Sequence, residues 1–496
     1  MHPCLLSILL SVLLGWLILT IIIRKARVNL PPGPVGLPII GHLHLLGTKP
    51  VRSLSELTRT FGSLMFLRFG SVPVLVASSP AAAQLILKMR YNIFCSPTIP
   101  VVSFVGKEPL SAYFNFHRRI GASELFSTKR LHFFQPIVIH EIRGLLQAVA
   151  DNGARVQIRT ELYDATFSII SRIAISRRAK DLWSPSENGR SSSLQNLLIE
   201  RINLLGRQNI GDTDPCQAWM SMRGRGKRAM AISTKINAVW QQIIDERRRT
   251  RLSRGSEIKD ADFLDVLLTA STQDGVQISD TAIMAVLTIM FDAGIEAFAL
   301  TVEWALAELL EHPRILQKAQ QELEAVVGST RLVQESDILH LPYLRAILKE
   351  TMRLHPIAPL LMPYTVLKNY KVCGFDIPRS TVACINVWAI GRDSKVWKDP
   401  LRFYPERFMD SNMDARRQAF ELLPLGSGRR ACPGLPLRLS DVHLILSNLL
   451  NAFEWRRIGE IDLSEEFGTL MSLKNHLVAK ATLKIPRHLI DGSQPA

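Results

Sequence analysis

The stretch from Asp280 to His312 leaves this chain few ways to fold. Apolar residues recur in it every three or four positions and Pro313 closes it, so it reads as one helix. A helix of 33 residues spans roughly 50 Å. Its middle, IMAVLTIMFDAGIEAFAL, is apolar nearly all round, which suits a helix running through the core of a large body. Asp292 and Glu296 sit in that middle, one turn apart, where acids are costly unless paired, wetted or used. Long helical patterns dominate the remainder. Leu64 to Phe69 and Val72 to Ala77, around Gly70-Ser71, predict a hairpin whose second strand Pro73 marks as an edge. Strand-like runs return at Tyr370 to Cys373 and Ser380 to Val387, and Ser184 to Ser193 reads as a surface loop. The fold expected is mainly α with small β-sheets, a single large domain around one long central helix.

Composition excludes several classes. With 47% hydrophobic residues in 496, the chain is not disordered. Its six cysteines are scattered without a C-x-x-C pair, against a disulfide framework or a structural zinc site. The net charge is +16, with basic clusters at Arg223 to Arg228 and Arg247 to Arg254, but no nucleic-acid motif accompanies them. Solvated helix faces, an anionic membrane surface or an acidic partner account for the charge, and no nucleic-acid partner is expected.

Leu5 to Ile23 is a run of 19 residues without a charge, long enough as a helix to cross the hydrocarbon core. Arg24, Lys25 and Arg27 follow at once and no lysine or arginine precedes, so the body after them is expected in the cytosol. The run is longer than a signal-peptide core and lacks basic residues in front. Residues 1–29 therefore read as a single-pass transmembrane helix with its basic flank. Residues 30–41, with prolines at 31, 32, 34 and 38, read as a stiff linker, and 42–496 as the catalytic domain.

One cysteine stands apart. In PLGSGRRACPGLPL, Cys432 lies among Gly426, Gly428 and Gly434, which allow sharp turns and close approach of a flat object. A helix follows from Leu435 to Phe453, so Cys432 sits just ahead of a helix N-terminus, whose free N–H groups favour a thiolate. Arg429 and Arg430 add positive charge. A thiolate in that niche, with no histidine nearby in sequence, suits a metal better than a nucleophile.

LGSGRRACPG resembles the haem-binding signature F-x-x-G-x-R-x-C-x-G of the cytochrome P450 superfamily, matching at Gly428, Arg430, Cys432 and Gly434, with Leu425 in place of Phe. Glu350 and Arg353 in KETMRLHP match the family's E-x-x-R, and Arg407 in YPERF its P-E-R-F element. The wording of VWAIGRDSKVWKDP and EWALAELLEHP is similar to plant microsomal members acting on phenylpropanoids and flavonoids. The resemblance implies haem b (iron protoporphyrin IX) held by Cys432 as axial iron ligand. It implies electrons from NADPH through a flavoprotein reductase, a membrane lipid setting at the endoplasmic reticulum and a small lipophilic substrate. It further implies Arg430 and Arg118 on the haem propionates, Glu350, Arg353 and Arg407 as a buried ion-paired cluster, and Glu296 as a proton-relay residue. Ala293 and Gly294 would make room for dioxygen.

Two places depart from the family. The central helix reads Ala293-Gly294-Ile295-Glu296-Ala297-Phe298, with Ala297 where the family has a threonine that helps deliver protons; Thr301, one turn on, is a distant substitute. Phe114 and Arg118 stand for the W-x-x-x-R pair, and Tyr364 lies where many relatives have His or Arg facing a propionate. The expected function is a membrane-bound haem-thiolate monooxygenase oxidising a lipophilic or aromatic plant secondary metabolite (phenylpropanoid, flavonoid or terpenoid). The alternatives are a haem-thiolate isomerase or dehydratase that needs no dioxygen activation, and a weakened haem-binding protein. The expected substrate contacts lie at residues 95–113, 197–211, 290–298, 357–362 and 468–473.

Overall fold

The structure, a computed structural model, describes residues 12, 15, 29–89, 96–97, 121–178, 182, 193–206, 227–254, 262–273, 278–361, 363–409, 411, 413, 419–428, 431–468 and 470–491. Apart from residues 12 and 15, the expected transmembrane helix lies outside the described residues, as does nearly all of the Ser184 to Ser193 stretch. Ten longer helices carry the fold among the described residues. They are α1 (Pro50–Phe61), α2 (Thr128–Asp151), α3 (Ile158–Ile175), α4 (Leu194–Gly206), α5 (Lys227–Arg254), α6 (Phe263–Gln273), α7 (Asp280–Glu311), α8 (Pro313–Val326), α9 (Pro342–Leu354) and α10 (Leu435–Ala452).

The long helix is the axis of the main core. Ser279 caps α7 by accepting from the Ala282 amide at 3.2 Å, and Pro313 starts α8 where α7 stops. Phe291, fully buried in its middle, meets Phe167 of α3 edge-on at 5.4 Å and Trp240 of α5 at 5.1 Å. By length and hydropathy α7 could cross a membrane, yet 61% of its most apolar window is buried inside the body. It is a core helix.

Acids of α7 fasten its neighbours. Asp292 pairs with Arg201 of α4, and Glu296 accepts from the Tyr163 hydroxyl of α3 at 3.2 Å. Glu303 takes Arg159 of α3 at 2.7 Å, and Glu308 takes His355 at 2.6 Å. Burial that would be costly for a lone carboxylate becomes a means of fixing helix positions.

Small sheets flank the helices. β1 (Leu64–Phe69) and β2 (Val72–Ala77) form the expected hairpin, with Leu64 opposite Ala77 and Phe69 opposite Val72. With β3 (Ser96–Pro97), β5 (Tyr364–Thr365) and β8 (Val382–Ile385) they make one sheet in the order β1-β2-β8-β5-β3. The edge expectation for β2 is corrected, because β8 pairs with it in parallel. That ladder begins at Val74, so Pro73, which lacks an N–H, lies just outside it and faces Arg68 at the hairpin end. The expected strand at Tyr370 to Cys373 is β6 (Tyr370–Val372), paired with β7 (Phe375–Ile377). Near the C-terminus β9 (Phe453–Arg457), β10 (Glu465–Phe467), β11 (Met471–Leu473) and β12 (Val478–Leu483) form two further small sheets, β12 together with β4 (Val156–Gln157) and β9. Phe453 thus opens a strand rather than ending α10.

The proline-rich segment is non-helical and docked against the hairpin. The Phe66 amide donates to the Pro32 carbonyl at 2.9 Å, and a Cβ on Gly33 would strike the Phe66 carbonyl oxygen at 2.1 Å. The second basic cluster is largely consumed inside the fold. Arg247 pairs with Asp262 and Asp265, both at 2.7 Å, and Arg248 with Asp280.

Candidate active site

The loop before α10 is shaped by its glycines. Gly426 and Gly428 take positive φ of 72° and 70°, the left-handed region that suits glycine. Gly428 also packs so close to the Leu87 carbonyl oxygen that a Cβ would lie 2.6 Å from it. The Cys432 amide donates back to the Leu425 carbonyl at 2.9 Å, and the Leu435 amide to the Cys432 carbonyl at 3.3 Å. Gly434 is the N-cap of α10, and a Cβ on it would sit 3.9 Å from Cys432 Sγ. The sulfur is therefore held at the helix start, with no side chain from residue 434 on that flank and the Phe126 ring 3.7 Å from the same Cβ position.

Two cysteines show the contrast in role. Cys384 lies in β8, and burial pushes its thiol up to about 12. It behaves as a small apolar filler. Cys432 is free and partly exposed. Near it in sequence, two buried polar atoms have no partner among the described residues: Ser427 Oγ in the loop and Arg438 Nε in the first turns of α10. A partly open thiol between glycines, with flanking polar atoms left incomplete, fits a flat, anionic metal complex such as haem.

α7, which packs against α10, has an apolar stretch that is partly exposed. Ile289 is 48% exposed although it belongs to the core helix, Ala293 is exposed and Ala297 is 9% exposed. These residues recur every four positions and so share one face. Thr301 continues the row, and its hydroxyl meets Arg438 Nη2 at 2.7 Å. The row thus leads from the exposed Ile289 and Ala293 to the helix that follows Cys432. Thr301 also donates to the Ala297 carbonyl at 2.7 Å, so its one proton is committed and it does not replace the missing hydroxyl at 297.

Glu296 lies off this face. Burial raises its carboxyl above the ordinary value, opposed by the Tyr163 hydrogen bond and by Arg159. The Tyr163 hydroxyl is itself pushed up, by burial first and by Glu296 second. Gly294 is turned to α3 as well, where a Cβ would lie 2.9 Å from Ile170 Cδ1. Its missing side chain serves the crossing of α7 with α3. Ala293, by contrast, is exposed.

Glu350, Arg353 and Arg407 come together. Arg353 Nε and Nη2 donate to the two Glu350 oxygens at 2.7 and 2.8 Å, and Arg407 Nε donates to Glu350 Oε1 at 3.1 Å. Tyr404 adds a backbone N–H at 2.8 Å. Tyr364 is buried in β5, bridging Pro97 of β3 and Ala383 of β8. Arg430, Arg118 and Phe114 lie outside the described residues. The sequence reading missed Arg438, Tyr163, Arg159 and Arg201. For Arg438 the sequence shows only an arginine between Leu437 and Leu439, with Asp441 one turn on, and gives no sign of Thr301 as its partner.

Comparison with known proteins agrees with the geometry. The sequence profile described as Cytochrome P450 matches residues 31–479. The chain is 36% identical to cytochrome P450 76C2 of Arabidopsis thaliana over 478 residues, covering 92% of this chain and 93% of that protein. It is 34% identical over 467 residues to geraniol 8-hydroxylase of Catharanthus roseus, covering 91% and 93%. It is 35% identical over 484 residues to 7-ethoxycoumarin O-deethylase of Helianthus tuberosus, covering 94% and 96%. The free thiol at the head of α10, the partly exposed apolar stretch of α7 and these matches together place the chain in the cytochrome P450 family, as a haem-thiolate monooxygenase supplied with NADPH electrons through a reductase.

Proposed function

We propose that this chain hydroxylates a small, largely apolar plant secondary metabolite of terpenoid or phenolic type, at the endoplasmic reticulum membrane with its body in the cytosol. The observation that carries the reading is the pair Ile289 and Ala293, exposed and apolar one turn apart on a largely buried helix, with buried Ala297 one turn further on. Such a surface takes up a flat or chain-like hydrocarbon and excludes water from it. Named relatives act on geraniol and on 7-ethoxycoumarin, an alcohol and an aryl ether of that character. Residues 1–29 would anchor the chain, 30–41 connect, and 42–496 catalyse. The docking of residue 32 on Phe66 supports a body held at a fixed attitude to its anchor.

Cys432 would hold the haem iron, with Gly428 shaping the loop, Gly434 leaving its side of the sulfur free of a residue-434 side chain, and Arg430, Arg118, Phe114 and Tyr364 along the ring's edge. The haem supplies reductive activation of dioxygen. Glu296, kept prone to protonation by burial and met by the Tyr163 hydroxyl, would pass protons along α7. The test is turnover of monoterpene alcohols and alkoxycoumarins by the full chain with reductase and NADPH. Hydroxylated or dealkylated product at a rate set by NADPH is the expected result, and none across the panel would overturn the reading.

A second reading, a haem-thiolate isomerase or dehydratase, is favoured by one observation: Ala297 has no proton to give, and the Thr301 hydroxyl is committed elsewhere. Ala297→Thr separates the two. In a monooxygenase, restoring the hydroxyl raises product formed per NADPH for substrates that bring no hydroxyl of their own; loss of such assistance is worth about 10²–10⁴-fold. Unchanged coupling together with fast peroxide-dependent turnover in the wild type would favour the isomerase.

A further inference from the structure

Arg438 is a buried charge for which the chain supplies little. It is 6% exposed, in the first turns of α10. A guanidinium carries five donors, and among the described residues the bond it makes is from Nη2 to Thr301 Oγ1 at 2.7 Å. Its Nε is sealed from solvent without a partner, and no carboxylate forms an ion pair with it among the described residues. Asp441, one turn on, forms no ion pair with it; burial, with the like charge of Glu335, raises its carboxyl well above the ordinary value.

Helix geometry says what the charge faces. A helical side chain leans toward the N-terminus and covers the turn before its own Cα. For Arg438 that turn starts at Gly434, to whose carbonyl the Arg438 amide donates at 2.9 Å. Gly434 has no side chain, and the Cys432 sulfur lies 3.9 Å from where its Cβ would be. Guanidinium and sulfur thus share one end of α10 with no side chain of residue 434 between them. Burial pulls the guanidinium down to about 10, and the charge of Cys432 pulls it back up. Thr301, tied to the Ala297 carbonyl, holds the guanidinium from the α7 side.

We propose that Arg438 is a positioning residue for the haem, a fixed positive charge that draws electron density from the Cys432 thiolate and so favours the iron's reduced state. The proposal rests on the haem-thiolate reading above. Reduction adds one electron, supplied by the reductase, with no bond made or broken. A buried charge at a helix start acts strongly because little water screens it, and electrostatics around a ligating sulfur are a recognised means of setting a haem potential.

The test uses the full-length, haem-loaded chain with Arg438→Met, Arg438→Gln and Arg438→Lys. The readouts are the reduced-to-oxidised ratio at fixed ambient potential, by dye equilibrium, and the reduced carbon-monoxide spectrum. Met and Gln should lower the ratio by about tenfold, equivalent to about 59 mV for one electron, and Lys by less than about threefold. All three should keep the thiolate-type band. Equal shifts in Met and Lys, or none in Met and Gln, would overturn the proposal. If Met and Gln do not take up haem, retention becomes the readout: haem kept by Lys supports the charge, and haem lost from Lys as well overturns it in favour of shape. Failure of the underlying reading is seen separately, as a thiolate-type band that survives Cys432→Ala.

Discussion

Arg353 on α9 and Arg438 on α10 are both buried arginines on helices packed against α7. Arg353 is completed from within the chain. Beyond its two bonds to Glu350, Nη1 donates to the Gly391 carbonyl and to the Pro400 carbonyl at 2.7 Å, and Nη2 to the Arg402 carbonyl at 3.3 Å. Arg438 has Thr301 and an unpartnered Nε. Desolvating a charge is costly in both places, and at Arg353 full hydrogen bonding offsets it. The difference separates a charge that builds the fold from one left short where a ligand group is to be held. The first should tolerate no loss of a partner, while the second should register in the chemistry more than in the folding.

The largest effect is expected from Glu350→Gln. It removes the charge that Arg353 and Arg407 both face while keeping the shape. Breaking one partner of a buried ion pair costs about 3–5 kcal/mol. Denaturant unfolding and haem content check it, and a cost no greater than that of Arg438→Met would break the comparison.

What the sequence made legible follows the same division. Glu350 and Arg353 are three apart on a helix, so their contact follows from helix geometry. The hairpin around Gly70-Ser71 and the length of α7 are likewise local, set by turn residues and by period. The partners of the α7 acids were not legible, because Tyr163 lies 133 residues from Glu296 and Arg159 lies 144 from Glu303. The same holds for Gly294. A glycine in a helix reads as room for a ligand or room for a neighbour, and the neighbour here, Ile170, comes from another helix 124 residues away in sequence. Pro73 marked an edge correctly at the level of one residue but not of the strand, since β8 joins one position later. At the candidate site Cys432 was legible from its glycines. Arg438 was not, because its neighbourhood is made by Thr301, 137 residues away.

Asp441 sharpens the comparison from the acid side. It is 2% exposed, its Oδ2 has no partner, and burial raises its carboxyl well above the ordinary value, with Glu335 adding to the rise. The folded state thus binds this proton more tightly than the unfolded state. The stability linked to it is fully present below the unfolded value near 3.8 and is lost as pH rises toward the folded one. Asp441→Leu removes that loss. The variant should gain about 1–2 kcal/mol near pH 8 and little near pH 4, read from melting curves at the two pH values. Equal gains at both would show a packing effect instead of an ionic one.

The smallest effect is expected at Glu308, an acid that lies between the two extremes of completion. Burial would raise its carboxyl, but hydrogen bonds from His312 and His355 outweigh burial and bring it to about 2. His355 Nε2 meets Glu308 Oε1 at 2.6 Å, while its Nδ1 is buried without a partner. An unpartnered buried nitrogen is best left bare, and burial lowers His355, so it donates to Glu308 as the neutral ring. His312 behaves oppositely. It is half-exposed, and its bond to Glu308, 3.3 Å from Nδ1 to Oε2, raises it above 6.5. The Glu308 contribution is present above 4.5 and is lost as pH falls toward about 2. The His312 contribution is fully present below 6.5 and is lost as pH rises through its raised folded value. His312→Gln should therefore cost about 0.2–1 kcal/mol at pH 6, as exposed pairs do, and almost nothing at pH 9. Stability of the two proteins measured from pH 5 to pH 9 should converge at the alkaline end. A constant gap would mean that the imidazole acts by packing, beside Phe403 at 5.5 Å, and that its charge adds nothing to Glu308.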